Sequence, residues 1–286
     1  MEDFDKLWNY SDPASTEMKF REILTTSAEK QPAYILQLQT QIARTFSLRA
    51  LFTEAHETLD AVEKQLSAIH GIEHVRYHLE RGRTFNSSGK KPESKIHFEV
   101  AQSLAEEIKD DFYTIDAIHM LAIIAPPGQS LQLNEEAIIM AENSGDERTK
   151  SWLGSLYNNL GWSYFDNGEY EKALSIFLRA LQWRESKKSA PEMFLAKWCI
   201  ARTLRAMNRI DDAIKIQLAL FEESTSTGNQ DGYVHEELGE LFLLKHDKLK
   251  YPFHFEKANE LLSTDKLLQF HEPARLERIK RLAGLN

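Results

Sequence analysis

The chain has 286 residues, with 35 Lys and Arg against 44 Asp and Glu, a formal net charge of −9. This balance excludes a nucleic-acid coat made of general positive charge and leaves room only for local basic pockets. At 42% hydrophobic and 28% charged, with 12 Gly and 8 Pro, the composition is that of a folded soluble protein and excludes collagen-like, linker-like and turn-rich all-β chains.

Cys199 is the single cysteine, so no internal disulfide or thiolate zinc site can form, and a reducing compartment is expected. The opening residues Met1-Glu-Asp-Phe-Asp lack the positive start and apolar run of a secretory signal. No stretch approaches the roughly eighteen apolar residues of a membrane span. The sequence reads as cytoplasmic, with no membrane contact.

Taken in chain order, Asp12 to Lys30 reads as a capping helix, with Pro13 at a first-turn position where proline is tolerated. A helical pattern of small and apolar residues then recurs. It comprises Ala43, Phe46, Phe52, Ala55 and Leu59, then Gly82, Phe85, Gly89, Ser94, Phe98 and Ala101, and then a weaker copy opened by Leu121, Ala122 and Ala125. The clearest copy is Leu160-Gly161-Trp162-Ser163-Tyr164, Asn167-Gly168-Glu169-Tyr170, Ala173, Phe177 and Ala180. Ala201, Leu204, Ile210 and Ala213 follow, and Leu238-Gly239 with Phe242 opens the last. Glu272 to Leu282, amphipathic and basic, reads as a terminal helix. The small residues at 43, 82, 122, 161, 201 and 239 are separated by 39, 40, 39, 40 and 38. A small residue at each position lets the second helix of a unit approach the first, and the aromatic one turn later is expected to fill the gap.

These residues resemble the tetratricopeptide repeat, whose usual period is about 34 residues, in a longer variant. The resemblance implies an all-α right-handed α-α superhelix of about six helical hairpins over residues 31–265. Capping helices are expected over 1–30 and 266–286, the whole forming one continuous solenoid. Two units depart inside. Ala137 stands 15 residues after Ala122 and Ala258 stands 19 after Gly239, against twelve elsewhere, so insertions are expected as longer loops at Pro126-Pro127-Gly128 and Lys245 to Pro252.

The resemblance also implies that the first helices line a groove that binds extended peptides. Residues three before, one after and four after each small residue share one strip. The strip holds Arg44, Arg83, Asn86, His119, Asn158, Trp162, Trp198, Arg202, Arg205, Glu236 and Glu240, predicting a groove basic and polar at its start, aromatic in the middle and acidic at its end. Asn can bond both sides of a peptide backbone, Arg can fork onto a carboxylate or phosphate, and Trp can anchor. The expected partner is therefore a protein or peptide segment bearing a carboxylate or phosphate, gripped by Arg83, Arg202 and Arg205 over Asn158 and Trp162. The plainer reading makes each arginine an inter-repeat ion pair and each tryptophan inter-repeat core. Glu236, Glu237 and Glu240 would then be a solvated face, or counter-ions for Arg202 and Arg205. The family's two-carboxylate clamp is not reproduced.

Catalytic signals are weak. His70, His74 and His78 are spaced by four, so His74 and His78 have metal-ligand spacing on one helix face, but without a third ligand a capping cluster is the simpler reading. His119 beside Asp116 could accept a proton, but a packed histidine bonded to a neighbour is the simpler reading. Gly82 to Gly89 before Lys90-Lys91 has the wrong spacing for a phosphate loop, and Cys199 reads as a buried small apolar residue. No catalytic residue, metal or cofactor is expected, and the leading reading is a non-enzymatic peptide-binding scaffold or regulatory adaptor. Two alternatives stand beside it. One is an enzyme or small-molecule binder with a polar pocket at His119, Arg83 and Asn158. The other is a self-associating solenoid, as a homodimer or with the groove filled by its own terminal helix. Bacterial peptide-sensing regulators are also similar, but they carry an N-terminal effector domain that the roughly 30 residues before the first repeat cannot supply, so direct nucleic-acid binding is not expected.

Overall fold

A computed structural model describes residues 4–26, 31–265, 268–269 and 272–285, and every regular element among them is a helix. The expected end of the N-terminal cap at Lys30 and the expected boundary at 266 lie outside the described residues. None of the described helices is long and apolar enough to cross a membrane. The chain divides into two compact units, Met1–Leu156 and Tyr157–Asn286.

In the first unit a short 3-10 turn, Phe4–Leu7, precedes α1 (Pro13–Thr25), α2 (Pro32–Leu48), α3 (Phe52–Glu63), α4 (Ile72–Ser87), α5 (Lys91–Glu107), α6 (Asp111–Ile124), α7 (Pro127–Asn143) and the single turn α8 (Glu147–Lys150). The α1 start is legible from local chemistry. The Asp12 carboxylate accepts the Ser15 backbone N–H at 3.1 Å, and Pro13 takes the first position, where no N–H is needed. Hairpins α2/α3, α4/α5 and α6/α7 pack in sequence, and the first helices α2, α4 and α6 touch in series. The division between units falls within α9 (Leu153–Asp166). The second unit continues with α10 (Tyr170–Lys187), α11 (Ala190–Ala206), α12 (Ile210–Ser226), α13 (Gly232–Leu244), α14 (Lys250–Leu262) and α15 (Pro273–Leu282).

Hairpin turns other than α6/α7 share one backbone device. Gly89 and Gly168 sit at φ +81° and +76°, the left-handed region that glycine enters without a Cβ penalty. The next residue then donates back across the helix end, Lys90 N–H to the Phe85 carbonyl at 2.8 Å and Glu169 N–H to the Tyr164 carbonyl at 2.9 Å. Ala50 and Asn208 adopt the same conformation in the α2/α3 and α11/α12 turns.

Packing inside the hairpins corrects two expectations. The ring that fills the gap over each glycine comes from the second helix, sixteen positions on, and not from the aromatic one turn later. A Cβ on Gly82 would stand 2.5 Å from the Phe98 ring, one on Gly161 2.4 Å from Phe177, and one on Gly239 3.0 Å from Phe255. Where alanine replaces glycine, the partner is smaller than Phe. Leu59 shares a core cluster with Ala43, and Ile138 and Gln217 stand buried at the corresponding places after Ala122 and Ala201. This register is unbroken through all six hairpins of the described residues, so the predicted insertions are absent. Pro127 is the first residue of α7, and α14 already includes Lys250, Tyr251 and Pro252. The small residues used to infer insertions, Ala137 and Ala258, are fully buried one and two turns further along the core-facing side of the second helix than the positions they were matched to.

Gln217 is the exception in this register. It is fully buried, and neither its amide oxygen nor its nitrogen has a hydrogen-bond partner among the described residues. An unsatisfied buried amide costs about 1–3 kcal/mol. Gln217→Leu, of similar volume, is therefore expected to raise the unfolding free energy by about 1–2 kcal/mol in urea titrations. A loss of stability would mean that the amide has a partner in solution.

Candidate functional site

In the first unit, α2, α4 and α6 carry a lattice of charges on one face. Arg83 of α4 donates to Glu80 one turn back at 2.7 Å and reaches across to Asp116 of α6. Glu80 in turn accepts the Gln41 amide at 3.3 Å, and Gln41 takes the Trp8 indole N–H at 3.1 Å. Arg76 grips both carboxylate oxygens of Asp5 and donates to the Tyr113 hydroxyl at 2.6 Å. Arg148 sits over Phe112 with its guanidinium carbon 3.9 Å from the ring centre and also donates to the Tyr113 hydroxyl, at 3.1 Å. These groups surround a cavity of about 560 Å³, one wall of which is the N-terminal segment with Trp8 stacked on Tyr10.

Burial opposes the charge on Arg83, yet Asp116 and Glu80 hold its guanidinium above the ordinary arginine value. Arg44 goes the other way. Burial pushes it down, and Glu80, which approaches its Nε only to 3.8 Å, does not restore it.

In the second unit the acids and bases of α11, α13 and α15 pair almost completely. Arg205 clasps Glu237 with both carboxylate oxygens, Arg275 clasps Glu236 at 2.8 and 2.6 Å, and Arg278 clasps Glu240. Arg202, one turn before Arg205, has no carboxylate partner among the described residues. It sits instead against Trp198, Trp162 and Phe165, with ring centres 5.3, 5.6 and 5.9 Å from its guanidinium carbon, and its buried Nε has no acceptor. Arg202, Arg205, Glu236 and Glu240 line one cavity of about 540 Å³.

Arg44 and Arg83 thus share the first cavity, and four of the other predicted residues share the second. Asn86, His119 and Asn158 line neither. His119 faces the Trp152 ring at 5.2 Å, and burial pushes its pKa down. Asn158 accepts the Cys199 thiol at 3.9 Å. Trp162 packs edge-on against Phe177, and Trp198 donates its indole N–H to the Tyr233 carbonyl at 3.2 Å, joining α11 to α13.

Two readings are corrected. The glutamates of α13 are not a solvated face, since Glu236 and Glu237 are buried. The groove also does not end acidic, because Arg275 and Arg278 of α15 neutralise Glu236 and Glu240. The sequence strip missed these two arginines together with Asp5, Trp8, Arg76, Tyr113, Arg148 and Trp152. Arg76 lies two turns before Arg83 on the same face of α4, the one local signal available. The remaining partners come from distant segments.

His74 takes the Gly71 backbone N–H at 3.2 Å and bonds the Ser67 carbonyl at 2.9 Å, which makes it a cap for α4. His78 pairs with His97 at 3.0 Å, and burial with that neighbour pushes it down to about 4. His254 meets His235 in the same way, at 3.2 Å, and is also pushed down to about 4. Among the described residues no three His, Cys, Asp or Glu side chains are grouped to hold a metal. Burial pushes the Cys199 thiol up to about 12, which removes it as a nucleophile at neutral pH.

Residues 154–186 match the family model of the tetratricopeptide repeat. No curated protein sequence matches the chain. Among solved structures, the apo form of RapI is similar with a TM-score of 0.72 at 13% identity, over 99% of this chain and 81% of that one. Aspartyl phosphate phosphatase F from Bacillus subtilis is similar with a TM-score of 0.64 at 16% identity, over 96% and 76%. A tetratricopeptide repeat protein from Parabacteroides merdae has a TM-score of 0.55 at 12% identity, over 96% and 93%. At these identities the likeness speaks to the fold. With its repeat motif at 154–186 and its stacked helical hairpins, the chain is an all-α protein of tetratricopeptide-repeat type.

Proposed function

We propose that the chain is a non-enzymatic scaffold or regulatory adaptor that binds a protein or peptide segment. In this reading the segment lies on the first-helix face of the second unit and places a carboxylate or phosphate on Arg202, over Trp162 and Trp198. The observation that carries it is the contrast between neighbours on one face. Arg205, Arg275 and Arg278 are each spent on a glutamate, whereas Arg202 is held by aromatic rings with no acid to neutralise it. A guanidinium fixed by stacking keeps its donors available to an anion, at little cost in side-chain entropy. The flanking tryptophans offer the large apolar area typical of binding hot spots.

The self-filled reading has one observation behind it, since α15 places two arginines on the acids of α13. That contact leaves Arg202 unpaired and so leaves the acid-binding position open. Selection of peptides from a random library on the full chain, followed by affinity measurement, tests the proposal. Acidic or phosphorylated peptides are expected to be enriched, and Arg202→Gln is expected to weaken them about tenfold. Peptides without acidic residues, or equal affinity for the variant, would overturn it.

A further inference from the structure

Two histidine pairs occupy the same place in the repeat. His78 and His97 stand four residues before and fifteen after Gly82, and His235 and His254 stand at the same distances from Gly239. Neither place holds a histidine in the other four hairpins. In each pair one ring comes from the first helix and one from the second, with ring centres 5.2 Å apart. The Nδ1 atoms lie between the centres and face each other, at 3.0 Å across α4/α5 and 3.2 Å across α13/α14. The second-helix ring also stacks on the aromatic one turn after each glycine, His97 on Phe85 at 22° and His254 on Phe242 at 20°.

Two nitrogens facing end to end share a hydrogen bond only if one carries a proton and the other does not. A pair of neutral rings meets this condition. With both rings charged, two N–H groups confront each other and the bond is lost. His235 adds a constraint, because its Nε2 is buried with no partner among the described residues. Charging His235 would strand an N–H there, adding an unmet donor to a buried charge.

The surroundings do not favour a charge either. Besides His97, His78 faces His74, Arg81 and His70, and His97 in turn faces Arg81, Glu63 and His56. Besides His235, His254 faces Lys250, and His235 faces Lys257, Asp231 and Glu260. The three acids in these sets are engaged elsewhere. Glu63 lies 3.9 Å from Arg81, Asp231 caps α13, and Glu260 is paired with Lys257 at 2.7 Å. Burial and these neighbours push His78 and His254 down to about 4, and push His97 and His235 down as well.

We infer that the two pairs are proton-operated latches, each holding its hairpin closed while its rings are neutral, so that acid opens α4/α5 and α13/α14 before the histidine-free hairpin α11/α12. A metal is the other occupant that facing imidazoles can take. On the line between them it needs about 2 Å to each nitrogen, more than the 3.0 and 3.2 Å separations allow. Among the described residues, no third ligand is grouped with either pair. The latches do not depend on the peptide assigned to the second unit.

The sign follows from the direction of the shifts. An opened hairpin returns its histidines to the ordinary value of about 6.5 and so binds more protons than the closed one. Stability present above about pH 6.5 is therefore lost as the pH falls towards 4. For one histidine held at about 4, the opening equilibrium shifts about twentyfold between pH 7 and pH 5.

Hydrogen–deuterium exchange of the full chain at pH 7 and pH 5, in EDTA and corrected for intrinsic rates, reads this shift. Peptides from α4/α5 and α13/α14 are expected to lose about twentyfold in protection, and those from α11/α12 less than about twofold. His254→Gln, whose amide can still bond His235 but does not titrate, should cut the loss in α13/α14 to about threefold and leave α4/α5 as it was. His78→Gln should do the reverse. Nitrogen NMR of the histidine rings needs no variant and should show both pairs neutral at pH 6. An equal loss in all hairpins, an unchanged loss in both variants, or charged rings at pH 6 would overturn the inference. So would zinc, added in place of EDTA, raising protection in these two hairpins, since the pairs would then be metal sites.

Discussion

Arg83→Met should lower the unfolding free energy by about 3–5 kcal/mol, because it strands two buried carboxylates at once. The side chains of Asp116 and Glu80 are only 8% and 5% exposed, so water cannot take over the role of the guanidinium. Part of the loss falls on Glu80, which keeps the Gln41 amide but loses its 2.7 Å ion pair. Chemical denaturation measures the effect, and a triple variant with Glu80→Gln and Asp116→Asn should recover much of it by removing the stranded charges. A loss below about 1 kcal/mol would place this pair in the class of solvent-screened surface bridges and overturn the buried reading. The same logic applies to Arg205, whose partner Glu237 has a side chain 3% exposed. Removing Arg205 would therefore confound a binding assay with destabilisation, and Arg202 is the cleaner probe of recognition.

Gly161→Ala is expected to cost about 3 kcal/mol and to lower Tm by roughly 5–10 °C. The added methyl would stand 2.4 to 2.7 Å from three atoms of the Phe177 ring. That ring is fully buried and is fixed by Trp162 at 5.3 Å, so it cannot swing aside without repacking. Gly239→Ala, whose methyl would stand 3.0 Å from Phe255, should be milder in the same thermal scan. A double variant, Gly161→Ala with Phe177→Leu, reproduces the pairing of Ala43 with Leu59 and should regain most of the loss. Equal costs at positions 161 and 239 would show that the ring contact does not set the penalty.

The architecture was legible because helix packing leaves a periodic mark on a single chain. Small residues just under forty apart, left-handed turns at Gly89 and Gly168, and the Asp12-Pro13 start all act through neighbours close in sequence. The partner sixteen residues on was equally present, but Phe98, Phe177 and Phe255 alternate with Leu59, Ile138 and Gln217, so volume rather than residue type carries that signal. The candidate sites were only half legible. Position along each first helix identified Arg44, Arg83, Arg202 and Arg205. Which of these would be neutralised depended on Asp116 and Glu237 on the next first helix, while Asp5 and Arg275, far away in sequence, pair with Arg76 and Glu236. Ion pairing across 32 to 71 residues has no local periodicity, so a sequence strip can name cations without telling a spent one from an available one.

The matched small residue and its partner sixteen positions on make each hairpin a lock with its own key. Transplanting α9 onto α12 would face a bare glycine with glutamine and open a void, while α11 on α10 would drive an alanine methyl into a benzene ring. Chimeras of this protein should therefore succeed when cut between hairpins and fail when cut within one, so the heritable module is the helix pair and not the single helix.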